Sequence, residues 1–198
     1  LLEQCGRALA PEPLVAGALL PAWALLHGDN EALRARWLPA LARGEQTLAL
    51  AWQEREHEQS LRPASLRATP RGDGFVLDGA KRFVAAAEGA GAFVVSALAP
   101  QGPVLLLVEA GQAGLTLGTL ARVDGGFWGE LQFKGVETGA AQLVADAPRA
   151  DAVLQRFYLA LRDVTPDKGD KGDATLFPAA GKRVASPLSG AGTRAFAA

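Results

Sequence analysis

The spacing of hydrophobic and polar positions changes twice along the chain, and these changes divide it into three zones. Residues 1–46 carry long apolar stretches at helical spacing, residues 47–145 carry short apolar runs between turn signals, and residues 146–198 carry one helical segment followed by a polar, glycine-punctuated stretch. Helices followed by many short strands predict an α+β fold. We therefore expect a partial N-terminal helical domain in the first zone, a middle β-domain in the second, and one helix with a loosely ordered tail in the third.

The first zone predicts two helices after a short opening one. Residues 15–27 are almost all apolar, as in a helix that is buried on most sides. Residues 31–43 follow an N-cap signal at residues 28–30 and stop before Gly44, which suits a helix C-terminus. One face of this second helix carries four apolar side chains at helical spacing: Leu33, Trp37, Leu38 and Leu41.

The middle zone contains a series of short apolar runs with no long helix between them. Runs of this length and spacing predict an antiparallel sandwich or barrel, and we expect a β-barrel. A tight hairpin is indicated at residues 71–74, where Asp73-Gly74 suits a positive φ angle. The runs are 47–52, 66–69, 75–77, 82–84, 92–97, 104–108, 115–117 and 130–133.

Composition narrows the class of protein. The formal net charge is −1 and the lysines and arginines are scattered, which argues against a nucleic-acid partner. No run approaches the roughly 20 apolar residues of a membrane span. Cys5 is the single cysteine, so a disulfide framework or a cysteine zinc site within one chain is excluded, and a cytoplasmic location is the default.

Two further features of the sequence concern metal binding and completeness. Asp167, Asp170 and Asp173 recur at a spacing that does not fit an EF-hand loop, so we expect no metal site. The chain contains no methionine and opens at Leu1 with a segment that reads as the middle of a helix. These two observations predict an incomplete chain.

Four local stretches narrow the interpretation further. Residues 6–13 have the form of a helix-to-loop passage, and residues 36–45 form a helix that leads into the middle zone. Residues 77–84 read Leu-Asp-Gly-Ala-Lys-Arg-Phe-Val, and residues 130–136 end in Phe-Lys-Gly-Val. In order and separation these stretches resemble the acyl-CoA dehydrogenase family over roughly residues 1–160. The sequence is similar to the divergent small-subunit type, such as the small subunit of pimeloyl-CoA dehydrogenase.

This resemblance implies an FAD-dependent enzyme that removes two hydrogens across the α,β bond of an acyl-CoA thioester. It also implies a homo- or hetero-oligomer with another acyl-CoA dehydrogenase subunit. In the family, a glutamate base lies in a carboxy-terminal helical bundle, and no helices of that kind follow residue 160. No catalytic residue is therefore assigned, although four glutamates are available: Glu88, Glu109, Glu130 and Glu137.

The resemblance implies a first flavin contact at Trp52, Gln53 and Glu54. The family has a Thr-Glu-Pro element here; Glu54 matches its glutamate, Gln53 replaces the threonine, and neither the proline nor the following Gly-Ser-Asp is present. The strand backbone still offers hydrogen bonds to the flavin, because they do not depend on the side chain. We interpret the charged cluster at residues 54–58, which includes His57, as a solvated loop rather than a metal or acid–base site.

The second implied flavin contact is at Phe83, Val84 and Ala85. The aromatic and the valine agree with the family's pattern, whereas Ala85 stands where a serine or threonine hydroxyl is usual. An alternative interpretation places Phe83 and Val84 in the barrel core. The tryptophans are interpreted as core residues rather than stacking platforms: Trp23, Trp37, Trp52 and Trp128.

The sequence thus predicts an FAD-dependent acyl-CoA dehydrogenase that is not active alone. The alternative is a non-catalytic partner subunit or vestigial domain, which the departures at Gln53 and Ala85 favour. A third possibility is a β-barrel binding module without flavin. The helix-to-strand passage at residues 37–52 argues against this third possibility, because such a module would not need it.

Overall fold

A computed structural model describes residues 2–9, 13–56, 60–123 and 125–162. Helix α1 spans Leu2–Arg7, and a π-helical turn over Val15–Leu19 continues directly into helix α2 at Leu20–His27. The apolar stretch predicted as one helix therefore begins with a wider turn. Helix α3 spans Glu31–Ala42, and helix α4 spans Ala147–Arg162. The predicted tail after residue 162, including its three aspartates, lies outside the described residues.

Helix α3 forms as its sequence predicts. The side chain of Asn30 accepts a hydrogen bond from the backbone N–H of Leu33 at 3.0 Å, which caps the helix N-terminus. Leu33 and Trp37 are buried, and Leu38 and Leu41 pack partly buried against the same cluster. The predicted apolar face is therefore the face that the helix turns toward the sheet.

In the part of the chain that the structure describes, eight strands form one sheet in the order β6-β7-β3-β2-β4-β5-β8, with β1 paired to β4. Most pairs are antiparallel, but β1 and β2 both run parallel to β4 along the same edge of that strand. Among the described residues β6 and β8 do not pair, so the sheet is open. The α+β class is confirmed, whereas the strands do not close into the predicted barrel. The strands are β1 Leu48–Ala51, β2 Arg67–Arg71, β3 Gly74–Ala85, β4 Ala92–Ala99, β5 Gly102–Glu109, β6 Leu115–Ala121, β7 Phe127–Thr138 and β8 Leu143–Ala145.

Strand β3 is one long strand where the sequence predicts two short ones. The polar Asp78-Gly79 pair resembles a turn, yet the side chain of Asp78 accepts a hydrogen bond from the N–H of Gly135 in β7 at 2.8 Å. The predicted hairpin between β2 and β3 is present, but its left-handed residue is Gly72, with φ of 61°, rather than Asp73-Gly74.

The sheet carries apolar residues on both faces at strands β4 and β5. Phe93 and Leu106 belong to an inner cluster of strand residues, and Val94 and Leu107 belong to an outer cluster with residues of α2, α3 and α4. Helices and strands thus share the outer cluster, while the domain boundary placed after residue 46 stays a prediction. Within the described residues, every helix is too short or too polar to cross a membrane.

Candidate functional site

A buried ion pair lies in the middle of the sheet, where strand β3, strand β4 and the segment after strand β1 meet. The ammonium of Lys81 in β3 lies 2.8 Å from a carboxylate oxygen of Glu54, and the two side chains are 0% and 1% exposed. Lys81 also donates to the backbone carbonyl of Trp52 and to the hydroxyl of Ser96 in β4, each at 3.0 Å. Three ammonium protons therefore meet three acceptors, as a buried lysine requires.

The carboxylate of Glu54 accepts hydrogen bonds on both oxygens. One oxygen accepts from the hydroxyl and the N–H of Ser65, each at 2.6 Å, and from the N–H of Ala64 at 3.0 Å. The other accepts from the N–H of Leu66 at 3.1 Å as well as from Lys81. Burial alone would raise the pKa of Glu54, but the charge of Lys81 and the hydrogen bonds from Lys81 and Ser65 outweigh it and lower that pKa to about 2.

The prediction of a solvated loop at residues 54–58 is therefore wrong for Glu54. Glu54 is 6% exposed, whereas the next two residues are exposed. His57 and Glu58 lie outside the described residues. The sequence did not indicate an ion-pair partner for Glu54, because Lys81 lies far from it along the chain. Among the described residues, no group of three or more His, Cys, Asp or Glu side chains is arranged to hold a metal ion.

The two segments predicted to contact a flavin lie side by side. The N–H of Arg82 donates to the carbonyl of Gln53 at 2.8 Å, next to the bond from Lys81 to the carbonyl of Trp52. Trp52 and Gln53 are half-buried and directly follow β1. The first segment therefore lies against β3, although strand β2 separates the two segments in sequence.

Strand β3 is bulged at the second segment. Its pairing with β7 shifts register between Lys81 and Val84, and Phe83 adopts a left-handed backbone with φ of 53°. Ala86, which directly follows the strand, is also left-handed, with φ of 58°. Left-handed conformations are unfavourable for residues with a Cβ, and bulges and strained backbone concentrate at ligand sites. The local geometry is therefore typical of a binding site.

The three residues of this segment differ in burial. Val84 is 2% exposed and packs in the inner cluster, as the core interpretation predicted. Phe83 and Ala85 are half-buried. Their contact with a flavin, like that of Trp52, Gln53 and Glu54, stays a prediction.

Two aromatic rings and two arginines flank the bulge. The rings of Phe83 and Trp128 meet edge to face, with centroids 6.3 Å apart. The guanidinium of Arg122 lies 4.3 Å from the ring centroid of Trp128, and that of Arg82 lies 5.9 Å from the ring centroid of Phe83. Arg82 also forms an ion pair with Glu130 at 3.1 Å. Trp128 is half-buried and belongs to neither hydrophobic cluster, so the prediction that it is a core residue is wrong.

The glutamates left open as a catalytic base do not lie on helices. Glu109, Glu130 and Glu137 lie on strands, and each forms an ion pair with an arginine. Glu88 lies in the turn between β3 and β4. None is assigned as a base.

Comparisons with known proteins connect this geometry to one family. The acyl-CoA dehydrogenase FadE27 of Mycobacterium tuberculosis is 28% identical to this chain over 144 residues, which make up 73% of this chain and 37% of the relative. The chain therefore spans little more than a third of that relative's length. No protein-family model matches the chain.

Solved structures agree with this relationship. The ChsE4–ChsE5 complex of Mycobacterium tuberculosis matches with a TM-score of 0.68 and 26% identity, over 79% of this chain and 42% of that one. The Tcur3481–Tcur3483 steroid ACAD, as a G363A variant, matches with a TM-score of 0.69 and 29% identity, over 80% of this chain and 43% of that one. A glutaryl-CoA dehydrogenase of Mycobacterium smegmatis in complex with FADH2 shares the fold, with a TM-score of 0.62 and 21% identity, over 71% of this chain and 38% of that one. The predicted resemblance to the acyl-CoA dehydrogenase family is confirmed.

Proposed function

We propose that this chain supplies the helical and β-sheet portion of an FAD-dependent acyl-CoA dehydrogenase. In this proposal the flavin lies against residues 52–54 and 83–85. The hydrogen bond from the N–H of Arg82 to the carbonyl of Gln53 carries the proposal, because it brings together the two segments that the family resemblance implies. The likeness to FadE27 supports the reaction class.

The residues present suit a planar, partly apolar cofactor. Phe83 and Trp128 offer half-buried rings, and the bulged backbone interrupts the regular ladder where a ligand could approach. A bound flavin would supply the hydride acceptor for α,β-dehydrogenation of an acyl-CoA thioester. The backbone of both segments would hold and orient it. Because Ala85 lacks a hydroxyl, one hydrogen bond with a net contribution of about 0.5–1.5 kcal/mol is missing, which weakens binding without abolishing it.

An absorption spectrum of the purified chain, recorded with and without added FAD, tests this function. We expect a flavin band that is retained after desalting at close to one FAD per chain. Phe83→Ala should weaken FAD binding, because it removes a ring next to the bulge. Phe127→Ala is the matched control: this phenylalanine is 44% exposed and, because side chains alternate along a strand, lies on the opposite face of β7 from Trp128. A colourless wild-type chain that ignores FAD would contradict the proposal.

A second function, that of a non-catalytic partner subunit, is favoured by different observations. Gln53 and Ala85 stand where the family usually has hydroxyl side chains. The edge strand β6 also exposes two apolar side chains, Leu117 on one face of the sheet and Leu120 on the other, and an edge strand can pair with another chain. Two of the matching structures have two named components, ChsE4–ChsE5 and Tcur3481–Tcur3483.

Under this second function the chain would bind a longer acyl-CoA dehydrogenase subunit and stabilise it without holding a flavin of its own. Co-expression with such a subunit, followed by size-exclusion chromatography, tests it. Co-elution with the longer subunit, by a chain that is colourless when it is purified by itself, supports the partner function. A chain that elutes alone and carries FAD contradicts it.

A further inference from the structure

Lys81 and Arg82 bind two consecutive backbone carbonyls of residues 52–54, the first segment predicted to contact a flavin. The ammonium of Lys81 donates to the carbonyl of Trp52 at 3.0 Å, and the N–H of Arg82 donates to the carbonyl of Gln53 at 2.8 Å. One bond comes from a side chain and the other from the backbone. The first segment therefore cannot slide or rotate relative to β3 without breaking at least one of the two bonds.

The place of Lys81 along β3 adds a second constraint. Lys81 is the last residue in register with β7 before the bulge, and pairing resumes at Val84 opposite Gly129. Phe83, between these two points, has φ of 53°. A left-handed residue with a side chain persists only where the surrounding structure over-determines its conformation. The anchored Lys81 and the resumed pairing fix the two ends of the strained turn.

Stability alone is a poor explanation for this buried charge. Replacing a buried ion pair by uncharged residues of similar volume is often neutral or stabilising, because the desolvation of two charges is costly. An apolar side chain in place of Lys81 would fill the same space. It could not, however, donate a hydrogen bond to the carbonyl of Trp52.

We propose that Lys81 is a positioning residue of the candidate flavin surface, which fixes the backbone of Trp52 and Gln53 relative to the bulge at Phe83. This inference rests on the proposed flavin function and adds to it a residue that need not touch the cofactor. Glu54 supports this positioning. Its carboxylate compensates the charge of Lys81 and also accepts hydrogen bonds from the N–H groups of Ser65 and its neighbours.

The test compares two double variants of the full 198-residue chain. Lys81→Met with Glu54→Gln removes both buried charges, so that neither is left uncompensated. Arg71→Met with Glu137→Gln makes the corresponding change in an exposed ion pair that also links two strands, at 2.6 Å. Circular dichroism establishes folding, flavin fluorescence gives the Kd for FAD, and the visible flavin band reports the environment of the ring.

We expect the buried double variant to unfold cooperatively, to bind FAD at least tenfold more weakly, and to shift the flavin band toward that of free FAD. The exposed double variant should match the wild type within twofold in Kd. A folded Lys81→Met, Glu54→Gln variant with a Kd within twofold of the wild type, and an unshifted band, would overturn the positioning role while the proposed function stands. A wild-type chain that does not bind FAD overturns both.

If the buried double variant does not fold, Ser96→Ala gives a milder test. It removes one of the acceptors of the Lys81 ammonium and leaves the ion pair with Glu54 in place. We expect faster hydrogen exchange at the N–H of Arg82 and a Kd for FAD raised at least threefold. Unchanged exchange together with an unchanged Kd would overturn the positioning role.

Discussion

Gly129 of β7 lies so close to Ala87 that a Cβ added to the glycine would come within 2.3 Å of the alanine Cβ. Gly129 is buried and pairs with Val84, where register resumes after the bulge. Because the segment after the bulge packs on this glycine, Gly129→Ala must displace backbone. We expect it to lower the free energy of unfolding by about 1–3 kcal/mol, measured by urea denaturation.

Gly118→Ala on the neighbouring strand β6 is the control for this substitution. A Cβ at Gly118 would have its nearest neighbour, the carbonyl oxygen of Glu130, at 3.9 Å, which is an ordinary contact. We expect no loss of stability, and a gain of up to about 1 kcal/mol, because alanine reduces the freedom of the unfolded chain. Equal losses in the two variants would show that the loss at Gly129 does not come from the close approach to Ala87.

The buried pair of Lys81 and Glu54 should be sensitive to the loss of one partner. Lys81→Met alone leaves the Glu54 carboxylate buried without its compensating charge, so we expect the free energy of unfolding to fall by about 3–5 kcal/mol. Arg71→Met alone breaks the exposed pair with Glu137 and should cost about 1 kcal/mol or less. Urea denaturation of the two variants measures the difference. Similar losses would contradict the buried geometry.

The lowered pKa of Glu54 predicts a specific acid sensitivity. Its pKa is about 2 in the folded protein, against an ordinary value of 4.5, so its ionised form stabilises the fold fully above about pH 4.5. As the pH falls through that value toward 2, the unfolded chain binds the proton first and this stabilisation is lost, by roughly 3 kcal/mol in total. The free energy of unfolding, measured across this pH range, should fall less steeply in the Lys81→Met, Glu54→Gln double variant. Parallel pH profiles would show that other carboxyls dominate.

The spacing of apolar residues predicted the strands well where a strand is buried. The run at residues 92–97 became β4 and the run at 104–108 became β5, because both faces of these strands are packed and polar residues are largely excluded. The pattern was misleading at Asp78, whose side chain binds Gly135 from a distant part of the chain and so keeps a polar residue within β3. It also missed β8, Leu143–Ala145, which is too short to show a period.

The candidate site could be predicted only as far as local motifs reach. The resemblance indicated Glu54 and Phe83 as candidate site residues. It did not indicate that Lys81 is the ion-pair partner of Glu54, because a local motif contains no information about which distant residues pair. The left-handed backbone of Phe83 was equally hidden, because glycine and asparagine are the usual signals for that conformation. Trp128 enters the site only through strand register, which brings β7 beside the end of β3.

The left-handed backbone after β3 can be tested with two adjacent glycine substitutions. Ala86 has φ of 58°, a conformation that costs an L-residue about 1–2 kcal/mol relative to glycine, whereas Ala85 is in the strand. Glycine at either position also destabilises the fold by roughly 0.5–1 kcal/mol through the greater freedom of the unfolded chain. Ala86→Gly should therefore be neutral or stabilising by up to about 1 kcal/mol, while Ala85→Gly should be destabilising by about 0.5–1 kcal/mol. The free energies of unfolding of the two variants measure this difference in sign, and equal destabilisation of both would mean that Ala86 is not held in the left-handed region.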